Sequence, residues 1–455
     1  MRGYNILDGS CRFLALLFIL FPMFLFSWTD PVNISNTDSI SNCPALYQDK
    51  RGWIHVVWED RTPGNYDIYY TFYDGNIWAD TQNVSHGLTC WRPDVAVDTL
   101  NDVHVVWGDY DTGEIMWTMY DGNSWSTPVS LSDSVPYSCQ GPELDVSPVT
   151  NYVHCVWHNL GAADIWHSYY NRTSWSIPEN VSDDPDDSAW PDIAIDRMDR
   201  NHLVWMDYGT YDIFYSRKDS NSWSSPENIS NLPGQSCNPR IAIDINNYTR
   251  VTWEERYFGK YNTYFSYFNG TDWINPVYVD SIDTHHPDIS IGRYNRTHIV
   301  YGYDYEIYYV VYEGTIQALP RIDISNTGHS LLPFICVDSL YAHVIWVDGS
   351  MDSSSPKKNM EIFYNYNLLS GLEEEEKINI NYSPVNFSRL YLSISKPEKV
   401  LVEIYDITGR KRKTYKSTES NAHIEIPLDF SSGIYFFRMK TSDVTFNGKF
   451  ILINH

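Results

Sequence analysis

One recurring phrase limits what this chain can fold into. "SWTDPVNIS" (27–35) returns as "WADTQNVS", "WSTPVSLS", "WSIPENVS", "WSSPENIS" and "WINPVYVD". Its tryptophans, Trp28, Trp78, Trp125, Trp175, Trp223 and Trp273, stand 50, 47, 50, 48 and 50 residues apart. A repeat of that length built from short β-rich segments predicts the blades of a β-propeller. One such unit cannot bury its apolar faces alone, whereas a closed ring of them can.

Each unit reads as four strands. The first is typified by "PDVAVD" (93–98), the second by "HVVWED" (55–60), the third by "DIYYTFYDG" (67–75), and the fourth is the tryptophan phrase. All are rich in β-branched and aromatic residues, alternate in polarity and are bounded by turn formers. First strands open near the prolines at 44, 93, 142, 191, 239, 287 and 333, which makes seven. The seventh unit ends after its third strand, and the unmatched fourth strand lies at residues 28–35. The simplest closure puts that N-terminal strand into the last blade, where it covers an open sheet edge. The expected fold is therefore all-β, a seven-bladed propeller over 28–371 closed by its own N-terminal strand.

Outside the repeat, Phe13 to Phe26 is an apolar run preceded by Arg12 and broken by Pro22. It is short for a membrane span and fits the core of a signal peptide, so 1–27 is read as an export signal with no span remaining after its removal. Residues 372–385, opening with Glu373 to Glu376, read as an acidic linker. Beyond it, 386–455 reads as a small Ig-like β-sandwich. There "VEIYDITGR" (402–410), "SSGIYFFRM" (431–439) and "GKFILIN" (448–454) follow one another in the order found in the C-terminal sorting domain of the type IX secretion system, which this segment resembles. That resemblance implies secretion or display at the outer-membrane surface and makes the secretion machinery a partner. The turns "YDGNIW", "YDGNSW", "FNGTDW" and "DSNSW" resemble the Asp-box of sialidase-like, BNR-repeat propellers, one residue shorter than usual.

Charge narrows the function. With 32 basic and 58 acidic residues the chain carries a formal charge of −26 and has no basic stripe, which excludes nucleic acid as a partner. The sequence has no CxxC, HExxH, GxSxG or phosphate loop, so no metal and no cofactor is expected. The histidines that begin the second strands (His55, His104, His154, His202, His298, His343) recur blade by blade and would be spread around the ring, too far apart for one ion. Six cysteines lie beyond the signal, and their pairing is left open.

A packing position recurs in every blade; a binding site does not. The repeat breaks down where one blade joins the next. There Asp94, Glu143, Asp192, Arg240 and Asp288 follow the first-strand prolines, with Trp91, Arg92, Trp190, His285 and His286 just before them. Carboxylates bond sugar hydroxyls and aromatic faces stack on sugar rings, so these residues are the candidate ligand site. The leading expectation is an exported, monomeric binding module for a glycan or a surface protein. The alternative is a diverged glycosidase or polysaccharide lyase on a sialidase-like propeller. Catalytic residues are not assigned. The bland reading of the inner acids is that they cap strands against the neighbouring blade.

Overall fold

The computed structural model describes residues 28–369, apart from 87–88, 162, 184–186, 220–221, 245, 281–282 and 350–359. Toward the C-terminus it describes 389–398, 400–417, 421–427, 433–440 and 445–452. The expected signal segment 1–27 and linker 372–385 lie outside the described residues. Two compact units emerge, one of Phe26–Leu369 and one containing Ser370–His455.

The first unit is all-β and propeller-like: seven four-stranded sheets, one of which has its fourth strand in two pieces, Ser222–Trp223 and Glu227–Asn228. In the first blade the strands are Ser41–Gln48, Ile54–Asp60, Asp67–Tyr73 and Gln82–Asn83, paired in that order. The seventh blade is Ser330–Val337, Tyr341–Asp348 and Glu361–Leu368, and its fourth strand is Val32–Asn33 from the other end of the unit. Val32 pairs with Tyr364 and Asn33 with Phe363. Innermost strands touch their neighbours all the way round, the seventh against the first. Across that seam Gln48 Nε2 donates to Asp338 Oδ2 at 2.8 Å.

The repeated residues explain why these sheets hold together. Second-strand tryptophans Trp58, Trp107, Trp157, Trp205, Trp253 and Trp346 are fully buried. Fourth-strand tryptophans reach across to the preceding blade. Trp125 meets Tyr70 edge-on at 5.2 Å, Trp175 meets Trp117 at 5.5 Å, Trp273 meets Tyr215 at 5.0 Å and Trp78 meets Tyr364 at 5.0 Å. Such edge-to-face pairs are each worth about 1 kcal/mol beyond their buried area. Serines that follow fourth strands have their own task. Ser85, Ser132, Ser182, Ser230 and Ser325 accept the N–H of Ile68, Ile115, Ile165, Ile213 and Ile307, the isoleucines that lead the third strands.

The second-strand histidines are packing groups in this structure. His55, His202, His298 and His343 each bond a third-strand tyrosine hydroxyl through Nδ1, at 2.8, 2.8, 2.6 and 2.7 Å. Nε2 of His55 and His202 faces Asp49 and Asp196, both at 3.3 Å. Among the described residues no group of His, Cys, Asp and Glu is arranged to hold a metal, and no helix is long and apolar enough to cross a membrane. All six described cysteines are free thiols.

Two details depart from the sequence reading. First strands begin ahead of the proline instead of at it, as in Cys90–Val97, and the proline sits inside a register shift, here between Trp91 and Asp94. Proline has no N–H for the ladder, so the strand bulges around it. Fourth strands are shorter than the tryptophan phrase. Trp78, Trp125, Trp175 and Trp273 make isolated bridges to third-strand aromatics, and regular pairing resumes only residues later.

The second unit contains a four-stranded sheet, ordered Lys411–Lys416, Leu401–Asp406, Gly433–Lys440, Thr445–Leu452, and a two-stranded pair, Arg389–Glu398 with Asn421–Pro427. Among its described residues Val400, Val402, Ile404, Ile426 and Tyr435 are buried.

Candidate functional site

The bulges carry the site. In every blade the residue before the first-strand proline has a positive φ: Cys43 (43°), Arg92 (47°), Trp190 (54°), Asn238 (50°), His286 (50°), Leu332 (51°) and Gly141 (57°). Residues before proline normally prefer extended backbone, so six side chains held there are strained by about 1 kcal/mol or more each. The bulge turns each of them to one shared depression of about 140 Å³, which is also lined by all seven first-strand prolines, Ala45, Glu143, Arg240 and Phe334. Identical backbone thus presents six different side chains and one glycine to one mouth.

Of the sequence candidates, Arg92, Glu143, Trp190, Arg240 and His286 line this mouth. Arg240 crosses it, donating to Glu143 Oε1 at 2.6 Å and lying 4.0 Å from Asp192 and 5.0 Å over the Phe334 ring. Arg92 stacks on Trp190, its guanidinium 4.1 Å from the ring centre, and Trp190 Nε1 donates to the Tyr208 hydroxyl at 3.3 Å. The expected stacking wall is therefore occupied by an arginine on one face of Trp190. Two candidates stand away from the mouth. Trp91 packs beside Gly108, where an added Cβ would strike its Nε1 at 2.5 Å. His285 lies against Tyr261, ring centres 4.9 Å apart, in a separate groove with Asp283 and Tyr305.

Asp94, Asp192 and Asp288 lie beneath the mouth and act between blades. Asp94 Oδ2 accepts the N–H of Leu144 at 2.6 Å, Asp192 Oδ2 that of Ile241 at 2.8 Å and Asp288 Oδ2 that of Ile335 at 2.7 Å, each in the following blade. Asp145, absent from the sequence candidates, does the same for Ile195 at 2.6 Å. Its spacing from Asp94 and Asp192 hid it, because it sits two residues further into its strand. The geometry displays these acids capping the first strand of the following blade, and none of the four lines the mouth.

Burial disfavours their charge. It pushes Asp145 up to about 7 and, against the pull of Arg240, Asp192 up to about 8 and Asp288 up to about 6. Burial, then the charge of Glu143, raises Asp94 well above the usual carboxylate range. Buried histidines move the other way: burial lowers His298 to about 3 and His158 to about 4. These shifts set opposite limbs of a stability profile. The raised aspartates contribute stability that is full below about pH 4 and is lost as pH rises through their folded values, up to about 8. The depressed histidines contribute stability present above about pH 6.5 and lost as pH falls toward 4. The aspartate contribution therefore declines from about pH 4 to about pH 8, and Asp145 takes part in that decline between about pH 4 and about pH 7. Asp145→Asn, whose amide oxygen still accepts the Ile195 N–H, should make the decline between about pH 4 and about pH 7 shallower; an unchanged slope in a thermal-melt series would refute the assignment.

Among solved structures, a fungal alcohol oxidase of the AA5 family in complex with copper is similar at a TM-score of 0.51 and 11% identity, over 94% of this chain and 99% of that one. A PL25 ulvan lyase gives 0.49 at 9% identity, over 74% and 94%. A lectin of Aleuria aurantia in complex with Fucα1-6GlcNAc gives 0.43 at 11% identity, over 63% and 96%. At such identities the oxidase likeness bears on fold alone. No curated protein sequence matches the chain. Residues 376–454 do match the family model described as a secretion system C-terminal sorting domain, so this is a protein handed to the secretion machinery and sent to the cell surface or the medium.

Proposed function

We propose that the protein is an exported binding module whose ring is a seven-bladed propeller of sialidase-like kind and whose mouth takes a glycan. The C-terminal unit, in this reading an Ig-like sandwich spanning 386–455 behind the 372–385 linker, serves export alone. One observation carries the proposal. The buried tryptophans and the prolines repeat from blade to blade, as packing residues do, while Cys43, Arg92, Gly141, Trp190, Asn238, His286 and Leu332 differ at one equivalent position and surround one depression. Diversity confined to a rim of strained residues is what ligand recognition requires and what packing does not. Polar groups with fixed directions, such as the Glu143–Arg240 pair at 2.6 Å, suit hydroxyl-rich ligands.

A glycan array probed with the intact propeller unit is expected to give a restricted set of bound sugars, and Arg240→Ala should abolish it. A blank array with a protein ligand recovered by cross-linking from the surface of the producing cell would favour a protein partner. A second reading, cleavage by a diverged glycosidase or lyase, is favoured by Asp192: its carboxyl is held protonated near neutrality and stands 4.0 Å from Arg240 beside Glu143. Mass analysis of the bound glycans separates the two, since cleavage yields shortened or unsaturated products and binding returns the sugar intact.

A further inference from the structure

The mouth is small for the ligand assigned to it. Its volume of about 140 Å³ falls below the range in which ligands are usually enclosed, about 300–1,000 Å³. Beside it, between the sixth and seventh blades, lies a groove of about 450 Å³. The sixth blade begins with the strands His285–Ile291, Thr297–Tyr303 and Glu306–Glu313. His286 and Leu332, rim residues of adjacent blades, line both spaces, so the groove opens from the mouth and leads outward over the sixth blade.

Two features of the sixth blade make that room. In the second blade Trp91 pairs with Gly108 and lays its ring on the glycine, where an added Cβ would strike Nε1 at 2.5 Å. The equivalent pair in the sixth blade is His285 with Gly302. Here the ring lies instead against Tyr261 of the fifth blade, centres 4.9 Å apart, and leaves the glycine uncovered. A Cβ built on Gly302 would meet only the His285 carbonyl oxygen, at 3.4 Å, which is ordinary contact. The other feature is the hairpin tip. Asp304 and Tyr305 both have left-handed backbone, with φ of 50° and 61°, and Tyr305 is 61% exposed while lining the groove. Bulky residues rarely adopt that conformation, and here no burial offsets its strain.

The lining suits one kind of occupant. His285, Tyr303 and Tyr305 offer flat rings of the sort that stack on sugars. Asp283 and Asp304 supply acceptors for hydroxyls, and no lysine or arginine lines the groove. Asp283 is held in place by the Tyr261 N–H, which donates to Oδ1 at 2.9 Å, and His285 Nε2 stands 3.7 Å from the same oxygen. Such a surface bonds the hydroxyls of a neutral sugar and repels an anionic one.

We propose that this groove is an extended subsite for the chain of a neutral oligosaccharide whose first sugar sits at the mouth, so that the protein recognises glycan chains over single sugars; this rests on the glycan reading of the mouth. The chain passes over Gly302, with His285 and Tyr305 as stacking faces and the two carboxylates holding its hydroxyls.

The test titrates cello-, malto- and manno-oligosaccharide ladders calorimetrically into the full protein, with an oligogalacturonate ladder as the anionic counterpart. At least one neutral ladder is expected to gain about tenfold or more in affinity from its shortest binding member to its longer ones. Gly302→Val, which fills the groove and leaves the mouth as it is, should remove that gain without weakening the shortest member. Tyr305→Ala, which loses an exposed ring and keeps the melting temperature, should remove most of it as well. Affinity independent of chain length, or a gain that both variants leave intact, would overturn the groove and leave the glycan reading standing. Tighter binding of the anionic ladder through the same two positions would overturn the neutral class. Silence of every ladder would remove both readings.

Discussion

Deleting residues 28–36 opens the ring. The seventh blade is left with three strands and loses the N–H bonds from Thr29 to Tyr366 at 3.1 Å and from Ile34 to Ile362 at 2.8 Å. It also loses Ser35, whose hydroxyl accepts the Ile362 N–H at 2.9 Å while donating to Glu361 at 2.5 Å. Trp28 no longer covers Tyr309 in the sixth blade, where the two rings meet edge-on at 5.1 Å. Lost bonds, an uncovered aromatic pair and the partly buried Ile34 contact together amount to on the order of 5 kcal/mol. The expected readings are a large drop in the urea midpoint and, from the bare edge, self-association on size-exclusion chromatography. A synthetic peptide of residues 27–37 added in trans should recover most of the loss. Melting identical to that of the intact protein would mean the segment is not the clasp.

Truncation at Glu373 separates folding from delivery. Phe26–Leu369 form a compact unit of their own, and residues 376–454 are those that match the sorting domain. The truncated protein is expected to melt as the intact ring does and to retain its ligand. In a cell equipped with the matching secretion system it should stay behind, with surface and medium fractions at background. Normal appearance of the truncated protein outside the cell would contradict the assignment, and so would a collapse of the ring on losing this unit.

The sequence disclosed the ring because its evidence is periodic. Trp28 could be assigned to the seventh blade without a structure, since the seventh unit lacked a fourth strand and the N-terminus held one to spare. The bulges were less legible. That each first strand opens near a proline is visible in the repeat, but whether the preceding residue adopts a left-handed backbone depends on pairing across the sheet, which no local pattern encodes. Hence Arg92 and Trp190 line the mouth, while Trp91 and His285, one residue earlier and grouped with them in the sequence reading, are turned elsewhere by the same bulge. The acids were legible as residues and not as roles. The bond from Asp192 to Ile241 joins residues 49 positions apart, and the ion pair from Arg240 to Glu143 spans 97.

The bulges have a consequence for how such a protein changes over generations. At each of the seven rim positions the ladder is already interrupted. A substitution there that tolerates the left-handed backbone leaves the strand register as it is. A ring of fixed register can therefore change the chemistry of its mouth by single steps, each leaving a folded protein for selection to act on.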